Sequence, residues 1–332
     1  MKVKTGIISF AHLHAYSYAR CLQWAEDAEL VAVSDADETR GKAAAAALGT
    51  AFYSDYNELL KEDIDAVIIC NENVHHKEAV IAAAKAGKHV LCEKPIATSV
   101  ADAWEMINAC KDNGVKLQIA FPVRFNPPVR RVKNLIDEGR LGRILAIRGT
   151  NRGQNPGGWF VDSALSGGGA VLDHTVHVVD LMRWFMNSEV KEVYAEIDTR
   201  FYDLNIDDCG LLMLEFENGV FASHDPSWSR SETFPTWGDV TLEIIGTDGV
   251  TKVDAYAQHL HLYSDQKHRY AHEFWGNDMD LGLIQDFISC IVEDREPSVT
   301  GIDGLRAMQV ALAAYESSAQ KKPVSIIRSW GD

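Results

Sequence analysis

The chain has no apolar run approaching the ~20 residues that cross a bilayer. Its first residues, Met1-Lys2-Val3-Lys4-Thr5-Gly6, enter a strand pattern directly, without the apolar core of a secretory leader. Both absences point to a cytoplasmic protein with no membrane partner. Cysteine is sparse and scattered: Cys21, Cys70, Cys92, Cys110, Cys209 and Cys290 form no Cys-x-x-Cys pair, which fits reduced thiols rather than a zinc knuckle or a disulfide framework. Positive charge is in deficit, with 32 Lys and Arg against 48 Asp and Glu. The resulting formal charge of −16 argues against nucleic acid as a partner. Twelve histidines are present, yet no His-Glu-x-x-His pattern orders them. No metal is expected, and His12 with His14 alternate around a helix start, a poor arrangement for two ligands of one ion. Internal repeats, low-complexity tracts and long linkers are also missing.

What is present is an ordinary soluble composition, 46% hydrophobic and 24% charged, in 332 residues, long enough for two cores. Apolar strands at 3–9, 30–34, 51–53, 66–70, 89–92 and 116–120 alternate with helical patterns at 16–26, 39–48, 77–86 and 100–113, and Asp55 with Glu58 opens a further helix. Alternation of this kind predicts a doubly wound parallel (Rossmann) sheet, with ligands at the carboxyl ends of its strands. After a helix ending near Glu138 the pattern becomes β-rich: 143–150, 190–201, 208–216, 220–225, 239–246, 249–256 and 259–263. The turns Glu217-Asn218-Gly219 and Thr247-Asp248-Gly249 are hairpin signals. Helices at about 280–293 and 304–321 close the chain. The expectation is α/β: a parallel domain over residues 1–122 and an α+β domain over 123–332 with a large, mainly antiparallel open sheet.

The chemistry is concentrated in Gly167-Gly168-Gly169-Ala170-Val171-Leu172-Asp173-His174-Thr175-Val176-His177-Val178-Val179-Asp180. Asp173 and His177, four residues apart, share one helix face, while Leu172, Val176 and Val179 form an apolar stripe. Read alone, Asp-x-x-x-His is also what a solvated helix face carries. Eighty residues upstream, a short strand ends in Glu93-Lys94-Pro95. In this order the two motifs resemble the family of glucose–fructose oxidoreductase and inositol dehydrogenase (Gfo/Idh/MocA), and the resemblance covers essentially the whole chain. It implies a catalytic group of Lys94, Asp173 and His177, a cis Lys94-Pro95 peptide, and a homodimer or homotetramer formed through the open sheet.

The resemblance also implies a nicotinamide cofactor, but the usual Gly-x-Gly-x-x-Gly after the first strand is missing: Ser9, Ala11 and His14 stand at its three positions. Ser9, Phe10, Ala11 and His12 are the expected cofactor turn. Asp35, 24 residues after Ala11, ends the second strand where a carboxylate accepts from an adenosine ribose. With no Arg at position 36, NAD is expected over NADP. The segment Asn71-Glu72-Asn73-Val74-His75-His76 resembles the family's Thr-Pro-Asn-x-x-His, matching at Asn73 and His76. Asn71, Asn73, His76, Glu93 and Lys94 complete the expected cofactor contacts, and Arg124, Asn155 and Trp159 are the expected substrate contacts. The reading is an oxidoreductase acting on a secondary alcohol of a sugar, polyol or cyclitol, with His177 as base, Lys94 stabilising the oxygen and Asp173 orienting. Two alternatives stand beside it: a redox-neutral carbohydrate lyase, epimerase or glycosidase using bound NAD, and a non-enzymatic ligand sensor.

Overall fold

The structure is a computed structural model that describes residues 2–327 except Trp275 and Asn277. The outer ends of the two expected domains, Met1 and residues 328–332, lie outside the described residues. Six strands, β1 (Val3–Ile8), β2 (Ala28–Ser34), β3 (Ala51–Tyr53), β4 (Ala66–Ile69), β5 (His89–Cys92) and β6 (Leu117–Ile119), form one parallel sheet in the order β3-β2-β1-β4-β5-β6. The helices α1 (His14–Trp24), α2 (Glu38–Leu48), α3 (Tyr56–Leu59), α4 (His76–Lys85) and α5 (Val100–Asp112) connect them. Ala66-Val67-Ile68-Ile69 is fully buried, as a strand covered by helices on both faces must be. Strand order reverses between β1 and β4, so a crevice opens beyond their carboxyl ends, at Ser9–His14 and Asn71–His76.

Beyond α6 (Pro127–Asp137), β7 (Ile144–Thr150), α7 (Ser163–Ser166) and α8 (Ala170–Met186), the chain builds β8 (Val190–Asp198), β9 (Cys209–Phe216), β10 (Phe221–Asp225), β11 (Thr241–Gly246) and β12 (Val250–Asp254). A hairpin of β13 (His259–Ser264) and β14 (Arg269–Phe274), then α9 (Met279–Val292), α10 (Gly301–Gln320) and β15 (Val324–Ser325), complete it. The seven-stranded sheet runs β12-β11-β7-β10-β9-β8-β15, antiparallel except where β10 meets β7. The last two helices return to the first sheet: α9 packs on α1, and α10 touches α5 and β6 as well as α8. No helix among the described residues is long and apolar enough to cross a membrane.

Three strands, β8, β14 and β15, stand out against the sequence expectation, whereas the expected free thiols are found. Strand β8 stops at Asp198 rather than residue 201, because the buried Asp208 carboxylate accepts the N–H groups of Arg200, Phe201 and Tyr202 and pulls the backbone out of the ladder. Strands β14 and β15 were not expected; β14 is mostly polar, and β15 is two residues long. All six cysteines are free; five are buried and Cys209 is partly exposed.

The glycine run positions α8. Gly167 takes a left-handed φ of +76°, ending α7. The Asp207 carboxylate accepts from the N–H groups of Gly169 and Val171, and the Tyr315 hydroxyl from those of Gly169 and Leu172, satisfying donors that a helix start leaves open. A Cβ on Gly169 would collide with the Asp207 carbonyl oxygen. Gly169→Ala is therefore expected to cost about 1–3 kcal/mol, read as a lowered thermal midpoint, because the backbone itself must shift.

Candidate active site

Lys94 leaves the carboxyl end of β5 through a cis Lys94-Pro95 peptide and is 4% exposed. Its ammonium donates to Asp173 Oδ1, and the other Asp173 oxygen, Oδ2, faces His174 Nε2 at 3.2 Å and Trp228 Nε1 at 3.3 Å. Burial alone would push the Asp173 carboxyl up; Lys94 and His174 outweigh it and hold it well below its ordinary value. His177, one turn further along α8, meets the edge of Phe121 and has no hydrogen-bond partner for Nδ1 among the described residues. Burial, and then the nearby Lys94 ammonium, lower its pKa well below the usual imidazole value. His177 is thus a neutral imidazole, the form that can take a proton.

Lys94, Asp173, His174 and His177 share a cavity of about 320 Å³ with His12, His14 and an apolar wall that includes Val123, Phe160 and Tyr256. The expected substrate residues sit elsewhere. Arg124 is buried, with Nε 2.6 Å and Nη2 2.5 Å from the two oxygens of Asp180 and a further bond of 3.0 Å to Asp303. Its guanidinium is committed to an internal ion cluster with Asp180 and Asp303, which corrects its reading as a substrate contact. Asn155 accepts the Gly157 N–H in a local turn, and its neighbour Pro156 reaches the cavity in its place. Trp159 stacks on Phe160 at 3.9 Å and donates from Nε1 to the Ala11 carbonyl at 3.1 Å, so it meets the expected cofactor turn.

That turn keeps the required backbone without the glycines. Ser9 adopts φ +70°, the left-handed conformation that the first fingerprint glycine normally supplies, and its hydroxyl accepts the Ala11 N–H. The Phe10 N–H donates to Asp35 Oδ2 at 2.8 Å and the His12 N–H to the Cys70 carbonyl at 2.9 Å. Asp35 also accepts the Asp37 N–H and a bidentate pair from Arg40, Nε and Nη2 each at 2.7 Å. At the end of β4, Asn73 Nδ2 bonds the Ser166 carbonyl at 2.8 Å and Asn71 Nδ2 the His75 carbonyl at 3.1 Å, while Oδ1 of both is buried without a partner among the described residues. His76 is fully buried, with Nδ1 2.9 Å from the Pro95 carbonyl and Nε2 3.3 Å from that of Asn71. This corrects its place among the cofactor contacts: it ties the end of β4 to the Lys-Pro turn. Glu93, also fully buried, accepts from the Tyr18 hydroxyl and lies 2.8 Å from His14 Nδ1.

Sequence reading gave His174 and Trp228 no place at the Asp173 carboxylate and passed over Arg40 at Asp35. His174 was visible as the neighbour of Asp173; Trp228 and Arg40 reach their carboxylates through folding and through a helix turn, which no motif marks.

Comparison with known proteins agrees with this layout. Residues 3–121 match the oxidoreductase family with NAD-binding Rossmann fold, and residues 129–252 match the GFO/IDH/MocA C-terminal domain. The chain is 30% identical to myo-inositol 2-dehydrogenase of Thermotoga maritima over 98% of both chains. It is 28% identical to the NADP-dependent D-xylose 1-dehydrogenase of Haloarcula marismortui, over 82% of this chain and 78% of that one. Among solved structures it superposes on scyllo-inositol dehydrogenase of Lactobacillus casei, with bound NAD(H) and scyllo-inositol, at a TM-score of 0.85 and 25% identity, covering 98% of this chain and 99% of that one. A chain matched at both domains, end to end with a relative of known activity, is an oxidoreductase with an NAD-binding Rossmann domain and belongs to the GFO/IDH/MocA family.

Proposed function

We propose that the protein moves hydride between a nicotinamide and a secondary alcohol of a sugar, polyol or cyclitol, with NAD as the preferred cofactor. The observation that carries this reading is the arrangement in one cavity of a buried ammonium, the carboxylate that pairs with it and a neutral imidazole. His177 takes the hydroxyl proton as the alcohol is oxidised. Lys94 stabilises the negative charge that develops on the same oxygen, and Asp173 fixes the Lys94 ammonium in place. A bound nicotinamide supplies the hydride acceptor, or the donor in the reverse direction.

The residues at the crevice fit a dinucleotide. The left-handed Ser9 keeps the turn open, and the unpartnered Oδ1 atoms of Asn71 and Asn73 offer buried acceptors at the strand end. Asp35 would hold the adenosine ribose once Arg40 swings aside. Arg40 also narrows the choice of cofactor, because its guanidinium attracts the 2′-phosphate of NADP that Asp35 repels. The exposed Leu211, Met213 and Phe221 on the outer face of the second sheet support assembly as a homodimer or homotetramer through that face.

Titration with NADH and NADPH, followed by nicotinamide fluorescence, tests the cofactor reading. Saturable NADH binding with weaker NADPH binding is expected, and Arg40→Ala should widen that gap by about tenfold, the effect of ~1.4 kcal/mol from one charged contact. Absence of binding to either cofactor at millimolar concentration overturns the hydride reading. Turnover of a polyol without net NADH would instead favour the redox-neutral alternative.

A further inference from the structure

Two histidines replace the ordinary residues of a dinucleotide turn, and the fold points both at one carboxylate. His12 precedes α1 and His14 is its first residue, yet their rings do not diverge around the helix start as the sequence reading expected. The ring centroids are 4.3 Å apart, and one nitrogen of each ring and one Glu93 oxygen all lie within 4.8 Å of one another. Glu93 Oε1 is 2.8 Å from His14 Nδ1 and 3.8 Å from His12 Nδ1. Metal bonds of about 2.0–2.2 Å at tetrahedral angles place ligand atoms about 3.4 Å apart, and the two measured separations bracket that value.

We propose that His12, His14 and Glu93 form a binding site for a divalent transition-metal ion of the zinc or cobalt kind, open on one side to the cavity that holds Lys94 and His177. An ion pair between His14 and Glu93 would satisfy that carboxylate, but it leaves His12 unexplained. His12 is 3% exposed; its Nδ1 accepts only the His14 amide at 3.2 Å, and its Nε2 has no partner among the described residues. A buried imidazole used so little on either nitrogen costs free energy unless a ligand engages it.

Two imidazoles and one carboxylate suit zinc, cobalt or iron rather than calcium or magnesium, and three protein ligands leave a coordination position free. His12 and His14 line the cavity, so that position faces it. The ion would take an oxygen of the cavity's ligand, favouring molecules with adjacent oxygens, such as a vicinal diol or a hydroxyketone. The Glu93 carboxylate is held at both oxygens, the Tyr18 hydroxyl donating to the same Oε1 at 2.6 Å and the Lys94 N–H to Oε2 at 3.0 Å. A second histidine trio, His259, His261 and His272, lies on the solvent-facing β13–β14 hairpin and serves as the control.

The test is titration of tag-free, chelator-treated full-length protein with Co²⁺, read by visible ligand-field absorption and calorimetry. In the His261→Ala background one equivalent should still bind, with the intense bands of a tetrahedral site. His12→Ala and His14→Gln should each weaken that binding by about 10²-fold or more, and Glu93→Gln likewise. If one of these variants fails to fold, pulsed electron paramagnetic resonance of Cu²⁺ bound to the His261→Ala protein, counting two coordinated imidazoles, reads the same site without it. No binding, binding that the His12 and His14 substitutions leave unchanged, or binding that vanishes with His261→Ala overturns the proposal. Metal binding is read directly here, so its failure leaves the hydride reading standing, and the failure of NADH to bind leaves this site standing.

Discussion

Lys94→Ala and His177→Ala are each expected to lower turnover by about 10²–10⁴-fold, measured with NAD and whichever polyol or sugar a substrate screen identifies. The two losses have different origins. Without Lys94 the developing charge on the substrate oxygen meets only the Asp173 carboxylate, now unpaired from its ammonium and left with His174 and Trp228. Without His177 the alcohol proton has no neutral acceptor at the cavity wall. Neither side chain anchors a strand or a helix, so circular dichroism should change little and cofactor affinity much less than turnover; the thermal midpoint should fall in Lys94→Ala, which leaves the buried Asp173 without its ammonium, more than in His177→Ala. Near-normal turnover in a folded His177→Ala protein would remove this residue from the base role.

The second large effect is on stability and lies outside the cavity. Arg124→Met is expected to cost about 3–5 kcal/mol, because it leaves the fully buried Asp180 carboxylate without the guanidinium that grips both its oxygens. Asp303 is itself acidic, and Arg183, which bonds Asp303 and Glu189, is the remaining nearby cation. Burial already raises Asp180 to about 6 despite Arg124. A carboxyl raised on folding favours the native state while protonated, and that advantage is lost as the pH rises through the folded value. Removing Arg124 raises Asp180 further, so the deficit relative to the parent protein should be smaller below pH 6 and grow above it. Urea unfolding at pH 5.5 and pH 8 measures this, and equal losses at both would refute the account. The same variant separates the two readings of Arg124: a substrate contact would show itself in KM with little loss of stability.

The parts legible in the sequence were those written in local pattern. Ala66–Ile69 reads as a buried strand because every residue is apolar, and Asn218-Gly219 marks a hairpin because glycine tolerates φ +82° there. The Lys94–Asp173 encounter was legible only through the pairing of two motifs, since nothing within either stretch states that they meet. Arg124 shows the limit of that method. It was expected at the substrate, yet its partners come from 56 and 179 residues away and are chosen by packing. The end of β8 was hidden for the same reason, as the Asp208 side chain that draws the backbone aside sits ten residues beyond Asp198. The close approach of the His12 and His14 rings was hidden because helical periodicity does not describe a residue that precedes the helix.

The buried thiols give this protein a set of internal clocks. Burial pushes Cys21, Cys110 and Cys290 up to about 12, and Cys70 and Cys92 well above the ordinary thiol value, so none of the five offers a thiolate to a reagent while its surroundings stay closed. Each sulfur can react only during an opening that brings it to solvent, and the rate of its modification counts how often that opening occurs. The five are distributed over α1, the end of β4, β5, α5 and α9, while Cys209 on the second sheet marks the fast limit. Mass-resolved thiol labelling in native buffer therefore reports the separate fluctuations of the first sheet's layers. A ligand that closes the crevice beside Cys70 and Cys92 will slow those two clocks before it slows the others.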